Sequence, residues 1–185
     1  IHKGYSLVGG AVLNGNPHYF LSRADYLLTF NESLPTLPAR KVLFWPSCNF
    51  MCTRQSFDKI GGFDSSILIG EDSLFCRKAL QYYELWFDSS MRVAHTNRET
   101  WEAYWHHHYQ FGYGSAQLRK KINLPGSILA RHKLLSFLAA PIRVLRLGWR
   151  LSQHKKTFLD LILFSPFIGI GLTAWGYGFV KGAWK

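Results

Sequence analysis

The feature that most constrains this chain is a run of twenty residues without a charge, residues 161–180. A helix of that length is long enough to cross a lipid bilayer. Membrane helices also tolerate the glycines and the Pro166 that the run contains. Basic residues flank the run on both sides, Lys156 before it and Lys181 after it, so they do not fix an orientation. The sequence therefore predicts a transmembrane helix over residues 161–180.

The net charge of +11 is carried entirely by the last third of the chain. Residues 1–118 contain ten basic and ten acidic residues, whereas residues 119–185 contain twelve basic residues and one acid, Asp160. A basic and apolar segment is typical of proteins that bind an anionic membrane surface, while nucleic-acid readers usually place the basic patch on a polar, folded part. We therefore expect anionic membrane lipids as a partner and no nucleic acid, with residues 134–147 as an interfacial or re-entrant helix.

The three cysteines, Cys48, Cys52 and Cys76, do not indicate a disulfide framework. Their number is odd and their spacing matches no such framework. No second Cys or His pair lies at a spacing suited to zinc. We therefore expect reduced thiols.

Short strands and helices are predicted before the basic tail. Residues 84–87 and 91–95 read as two strands around a turn at residues 88–90, where Asp88 is followed by two serines. Thr96 and Glu99 fit a capping box that opens an aromatic-rich helix. That helix contains three consecutive histidines, at positions 106–108. Consecutive helical positions point about 100° apart, so three in a row cannot face one ion, and we predict that they form no metal site.

The stretch of residues 54–77 carries the most chemical information. It reads as a short helix, a Gly61-Gly62 turn, a loop, and two adjacent acids, Glu71 and Asp72, that open a second helix. The N-terminus of a helix favours negative charge, which helps to keep Asp72 in the ionised form that a general base needs. Acids at a helix start are also common caps. The residues alone leave both interpretations open.

The order and spacing of this stretch resemble the second half of the family 2 glycosyltransferases, which have the GT-A fold. The family pattern places an Asn at a strand end, then an Arg, a Gly-Gly-Phe-Asp turn, and a Glu-Asp pair followed by Leu and Arg. The matching residues are Asn49, Arg54, Gly61, Gly62, Phe63, Asp64, Glu71, Asp72, Leu74 and Arg77. The resemblance implies an α/β fold: the acceptor-side half of a nucleotide-diphospho-sugar transferase domain over residues 1–121. A basic, apolar, membrane-associated tail would follow over residues 122–185.

The resemblance also implies a function. The chain would belong to a glycosyltransferase that moves a sugar from a nucleotide-diphosphate donor to the hydroxyl of a lipid-linked or envelope-polysaccharide acceptor. The enzyme would act at a membrane, with its catalytic part on the cytoplasmic side. Asp72 would deprotonate the acceptor, and Glu71 would support the acceptor or the local loop. Gly61 and Gly62 would let the backbone approach the donor sugar. The remaining binding residues would be Asn49, Arg54, Phe63, Asp64 and Arg77.

A divalent cation, Mn²⁺ or Mg²⁺, is implied as the cofactor. His95 stands at a predicted strand end. The resemblance implies that His95 is a metal ligand, whereas the residues alone indicate only a polar strand terminus. Imidazole is an ordinary ligand for Mn²⁺ and less so for Mg²⁺. The sequence contains no Asp-x-Asp motif. We therefore expect a fragment without the nucleotide-binding half. His95 would share the metal with an Asp-x-Asp motif upstream. The alternative to an enzyme is a non-catalytic, membrane-associated binding or scaffold subunit.

Overall fold

The computed structural model describes residues 5–153 and 155–185. Strands and helices are interspersed up to residue 95, and the elements that follow are all helical. The strands are β1 (Leu7–Asn14), β2 (Arg40–Val42), β3 (Phe50–Cys52) and β4 (Leu85–His95). The helices are α1 (Phe20–Phe30), α2 (Arg54–Ile60), α3 (Glu71–Ala79), α4 (Trp101–Lys121), α5 (Ser127–Arg131), α6 (Ala139–Ser152), α7 (Lys155–Leu163) and α8 (Ser165–Trp184), with 3₁₀ turns at Ser47–Asn49 and Leu134–Leu138. The predicted α/β class is confirmed.

The chain folds as two compact units. Unit 1 contains residues 5–15 and 32–95, and unit 2 contains residues 16–31 and 96–185. Helix α1 therefore belongs to unit 2, although the strands before and after it in the sequence belong to unit 1. The predicted division of function between residues 1–121 and 122–185 stays a prediction.

Unit 1 is built on a four-stranded mixed sheet with the strand order β2-β4-β1-β3. Strand β1 runs parallel to β4 and antiparallel to β3, and β2 runs antiparallel to β4. One side of the hydrophobic core is filled by Trp45, whose ring lies directly over Gly9 of β1, where a Cβ would overlap it. Strand β1 can therefore approach this large aromatic residue only because it carries glycine at that position.

The two strands predicted around residues 88–90 are one strand. Strand β4 runs through this segment, and its register against β1 shifts between Gly10 and Ala11, which pair with Asp88 and Arg92 respectively. The carboxylate of Asp88 accepts hydrogen bonds from the backbone N–H and the hydroxyl of Ser90, at 2.9 and 2.7 Å. The signal that resembled a turn is thus a local bulge held by an aspartate, a common use of polar residues within a strand.

Unit 2 depends on close packing between α4 and α8. A Cβ at Gly112 of α4 would overlap the carbonyl oxygen of Trp175, and a Cβ at Gly178 of α8 would overlap that of Tyr109. The backbones of the two helices therefore touch at these glycines. Such contact adds van der Waals packing along the whole interface, and it leaves no room for a side chain.

The helix predicted over residues 161–180 is two helices. Residues 161–163 end α7, and α8 begins at Ser165, one residue before Pro166. Proline lacks the backbone N–H and is accommodated in the first turn of a helix, which explains the break. Among the described residues, no single helix has the length and hydropathy that would let it cross a bilayer, and only α7 and α8 together meet that test, across a bend of 78°.

The aromatic helix predicted after β4 is confirmed, but its cap is not the predicted one. Helix α4 begins at Trp101, and the hydroxyl of Thr100 accepts a hydrogen bond from the backbone N–H of Ala103, at 3.4 Å. Thr96 lies four residues too early to be the N-cap. Glu99 instead accepts a hydrogen bond from the side-chain amide of Asn16, at 2.7 Å. The helix packs its buried aromatic side chain, Tyr104, within unit 2.

The close contact between α4 and α8 predicts how two glycines of α8 respond to substitution. Gly178→Ala should lower the free energy of unfolding by about 1–3 kcal/mol, because the new methyl group must push the two backbones apart. Gly169→Ala is the matched control, since a Cβ there meets nothing within 4 Å. It should raise stability by up to about 1 kcal/mol through helix propensity. Urea unfolding of both variants is the measurement. Equal effects from the two substitutions would contradict the described packing.

Candidate functional site

The candidate site in unit 1 is built around Asp72 in the first turn of α3. The N-cap of this helix is Gly70, which has a φ of +93° and offers no side chain to the helix. A residue with a Cβ would be strained in that conformation. Glu71 and Asp72 follow as the first two helical residues. Asp72 is therefore not the N-cap residue, but its carboxylate still accepts a hydrogen bond from a first-turn N–H, that of Ser73.

The carboxylate of Asp72 accepts a hydrogen bond from the backbone N–H of Ser73, at 2.7 Å. The backbone N–H of Ser47, which begins the 3₁₀ turn before β3, also acts on this carboxylate and lowers its pKa. Desolvation, and after it the negative charge of Asp72, raise the pKa of the exposed Cys48 thiol. No pattern in the sequence would have assigned Ser47 or Cys48 to the surroundings of Asp72.

Burial raises the pKa of Asp72 to about 6, and the neighbouring charge of Glu71 adds to the shift. The hydrogen bonds from Ser73 and Ser47 oppose it without reversing it. The N-terminus of the helix favours the charged form of Asp72, but desolvation outweighs that effect. A carboxyl group with a pKa near 6 is still mostly ionised at pH 7, and it is far more basic than an ordinary aspartate. Such a value suits a general base at neutral pH.

Asn49 has a structural position in unit 1. Its side-chain amide donates to the carbonyl oxygens of Ala11 in β1, at 2.8 Å, and of Met91 in β4, at 3.3 Å. The residue is buried, and it bridges the two parallel strands at the place where their register shifts. The part of Asn49 in binding a donor or acceptor stays a prediction.

The two glycines of the predicted donor turn end α2. Gly61 and Gly62 have φ values of +87° and +63°. The N–H groups of both glycines donate to the carbonyl oxygen of Phe57. This arrangement closes the C-terminus of the helix in the left-handed conformation that glycine adopts most easily. The glycines thus have a structural reason to be present, and a close approach to a donor sugar stays a prediction.

The other predicted binding residues lie around this turn. The ring of Phe63 packs against Phe75 of α3 with a centroid distance of 4.9 Å. The carboxylate of Asp64 accepts hydrogen bonds from the N–H and the hydroxyl of Ser66, at 3.0 and 2.6 Å. Arg54 and Arg77 are exposed. Their roles in binding stay predictions.

His95 ends β4 and pairs with Asn14 of β1, as predicted for a strand terminus. Its carbonyl oxygen accepts a hydrogen bond from the N–H of Gly15, at 2.9 Å. Among the described residues, His95 belongs to no cluster of three potential metal ligands. The described residues around His95 do not by themselves provide the set of ligands that a divalent cation needs.

A second cluster of titratable groups lies inside unit 2. The fully buried Asp25 of α1 has its Oδ1 3.1 Å from Nε2 of His108 and 3.8 Å from Nε2 of His107. Its Oδ2 accepts hydrogen bonds from the backbone N–H of Arg98 at 3.0 Å and from the guanidinium at 3.4 Å. Two of the three consecutive histidines therefore converge on one carboxylate, a juxtaposition that sequence reasoning missed because Asp25 lies about eighty positions away.

The donor set of this cluster could hold a metal by residue type, since one carboxylate and two imidazoles lie within 4.8 Å of one another. The surrounding charges oppose it. Arg98 is bonded to the carboxylate, and the positive charges of Arg143 and Arg98 act on His108. We interpret the cluster as a buried ion-paired network that joins α1 to α4.

The titration of the cluster follows from its burial. Burial by itself would raise the pKa of Asp25, but the hydrogen bond and charge of His108, together with the N–H of Arg98, lower it to about 2. Burial lowers the pKa of His108, and the attraction of Asp25 does not offset it. At neutral pH the pair is thus a carboxylate and a neutral imidazole.

No family model matches this sequence, and no curated protein or solved structure is significantly similar to it.

The raised pKa of Asp72 predicts that its negative charge destabilises the fold. The folded chain binds the proton of Asp72 more tightly than the unfolded chain, so the free energy of unfolding falls as pH rises from about 4 to about 6. Asp72→Asn should therefore raise the free energy of unfolding above pH 7, by about 1–3 kcal/mol, and the gain should vanish below pH 4. Urea unfolding across this pH range, always as the difference from the parent, is the measurement.

Asp58→Asn provides the control, because Asp58 is an exposed carboxylate on the neighbouring helix α2. This substitution should change stability by less than about 0.5 kcal/mol at every pH. If Asp72→Asn were destabilising at pH 7, the carboxylate would contribute to the fold and the site would lose its main physical argument.

The lowered pKa of His108 predicts that the stability of unit 2 changes with pH in the opposite direction to the contribution of Asp72. Because the folded-state pKa of His108 lies below its unfolded value, the unfolded chain binds more protons, and stability falls as pH decreases below about 6.5. His108→Gln cannot take up a proton and should flatten this acid sensitivity, although it costs stability at pH 7. The expected readout is a smaller pH slope of the midpoint of urea unfolding. An unchanged slope would show that His108 does not titrate on unfolding.

Proposed function

We propose that the chain is the acceptor-side half of a GT-A glycosyltransferase in which Asp72 is the catalytic base. The observation that carries the proposal is the partly buried Asp72 carboxylate, whose pKa of about 6 is raised by burial and by Glu71. Groups with strongly shifted pKa values concentrate at functional sites. A carboxylate that is unfavourable for folding also needs a reason to be there, and catalysis supplies one.

The reaction on this proposal is a direct displacement. Asp72 takes the proton from an acceptor hydroxyl as that oxygen attacks the anomeric carbon of the donor sugar. A bond forms between the acceptor oxygen and the anomeric carbon, the bond from that carbon to the diphosphate oxygen breaks, and the nucleoside diphosphate leaves with the electron pair. The proton remains on Asp72 until it passes to water. The donor-binding half lies outside the 185 residues on this proposal, because no Asp-x-Asp motif occurs within them.

The sequence pattern supports this assignment independently of the pKa. The residues that resemble the family 2 pattern are close in unit 1: the turn at Gly61 and Gly62 ends α2, and Asp72 opens α3, the next helix. Phe63 packs on α3 between these two points. Membrane location on the cytoplasmic side, an acceptor that is lipid-linked or a polysaccharide, and a divalent cation held partly by His95 belong to the same proposal.

Asp72→Asn in the complete transferase is the test. Asn has nearly the same shape and accepts the same backbone hydrogen bonds, but it cannot take a proton. Turnover should fall by about 100- to 10,000-fold, while binding of the nucleotide sugar is retained and the thermal midpoint does not fall. In the parent, turnover should rise with pH through about 6 and then level off, because only the ionised form of Asp72 acts as a base.

Asp58→Asn serves as the control and should keep the turnover of the parent. If Asp72→Asn turned over within a few-fold of the parent, the chemistry would lie elsewhere. The alternative, a non-catalytic binding or scaffold subunit, would then be favoured.

A further inference from the structure

Residues 134–163 of unit 2 expose an unusual number of large hydrophobic side chains. Ten of the twenty-four exposed large hydrophobic side chains in the described part of the chain lie in these thirty residues. They are Leu134, Phe137, Leu138, Val144, Leu145, Trp149, Phe158, Leu159, Ile162 and Leu163. Single exposed apolar residues are normal, whereas a concentration of this kind marks a surface that binds something. We call it the apolar basic surface.

Helix α6 shows why these side chains are not a continuation of the core. Leu147 and Leu151 are one turn apart and buried, so they form the inward face. Leu145 and Trp149 are also one turn apart, and each is 72% exposed. The helix is therefore apolar on its inward face and again on an outward face. A helix on the surface of a protein in water would carry polar residues at the outward positions.

Helix α7 repeats the arrangement. Thr157 is buried, whereas Phe158, Leu159, Ile162 and Leu163 are exposed. The residue numbers of these four positions increase by one, three and one, a spacing that places them on one side of the helix. The outward side of α7 is thus entirely apolar over its last two turns.

The charges next to these apolar faces are basic. Residues 134–163 contain five Lys and Arg residues and one acid, Asp160. Arg143 and Arg150 are bound within unit 2, to the carbonyl of Leu28 and the side chain of Asn31. Three further basic side chains are exposed, namely Arg146, Lys155 and Lys156.

The positive charge indicates which partner binds the apolar basic surface. A second copy of the chain would bring an equally basic surface against the first, and like charges at an interface oppose association. An anionic bilayer offers a hydrocarbon boundary for the leucines and phenylalanines and phosphate groups for the lysines and arginines. Amphipathic helices with Trp, Phe and Leu beside basic residues lie in the plane of such an interface.

We propose that the apolar basic surface of residues 134–163 docks on an anionic lipid bilayer, with Leu145, Trp149 and the outward side of α7 inserted at the boundary between headgroups and acyl chains. The proposal rests on the membrane location named in the proposed function and identifies the residues responsible for it. Vesicle binding can be measured without turnover, so a negative result for membrane docking is distinguishable from a negative result for the proposed transferase activity.

Co-sedimentation of the purified chain with vesicles is the test, using phosphatidylcholine alone and phosphatidylcholine mixed with phosphatidylserine. The parent should bind the mixed vesicles more tightly than the neutral ones. Leu145→Glu with Trp149→Glu should weaken binding to the mixed vesicles by at least about tenfold. Arg146→Glu with Lys155→Glu and Lys156→Glu should remove the preference for phosphatidylserine. Each substituted side chain is exposed, so circular dichroism should show an unchanged fold.

Leu43→Glu with Leu68→Glu is the matched control, because these leucines are 74% and 94% exposed and lie in unit 1. The control and Asp72→Asn should both bind vesicles as the parent does. A parent that fails to bind mixed vesicles, or a Leu145→Glu and Trp149→Glu variant that binds like the parent, would overturn the proposal. The proposal would also be overturned if the parent formed dimers without vesicles and the Leu145→Glu and Trp149→Glu variant did not. The surface would then serve self-association.

Discussion

The side-chain amide of Asn49 is the interaction on which the candidate site depends. It bridges β1 and β4 through the carbonyls of Ala11 and Met91, at the point where the register between these strands shifts. Gly10 makes room for it, since a Cβ at that position would overlap the amide nitrogen. The turn that contains Asn49 begins at Ser47, whose backbone N–H lowers the pKa of the Asp72 carboxylate. The parallel pairing of two strands is thus linked, through one buried amide and one short turn, to the group proposed as the base.

Unit 1 therefore places a carboxylate where it is unfavourable for folding. Burial and Glu71 raise its pKa, and the backbone N–H groups of Ser73 and Ser47 and the hydroxyl of Ser73 oppose the shift without reversing it. In unit 2 the pKa of a buried aspartate is shifted in the opposite direction. Asp25 is buried more completely than Asp72, yet its pKa is lowered because His108 and Arg98 stabilise the charged carboxylate. The comparison within one chain shows that a buried aspartate can be fully satisfied here. The carboxylate of Asp72 is less fully satisfied, which is what its proposed role as a base requires.

The sequence predicted the features that local patterns determine. The helix start at Glu71, the turn at Gly61 and the aromatic helix α4 all follow from residues close in sequence. What it could not predict depends on distant contacts. The pairing of Asp25 with His108 joins positions far apart, and the single strand β4 is continuous because β1 supports both of its halves. The break before Pro166 was also missed, because an apolar run does not distinguish one long helix from two. The roles of Arg54, Asp64, Arg77 and His95 come from the resemblance alone.

Direct titration of the Asp72 carboxyl carbon by ¹³C NMR tests the central claim. Asp72→Asn identifies the resonance, and the parent should titrate with a pKa of about 6. Glu71→Gln should lower that value, because the charge of Glu71 contributes to the shift. A pKa near the ordinary aspartate value of 3.8 in the folded parent would contradict the account, since Asp72 would then be a well-solvated acid at a helix start rather than a carboxylate tuned to accept a proton.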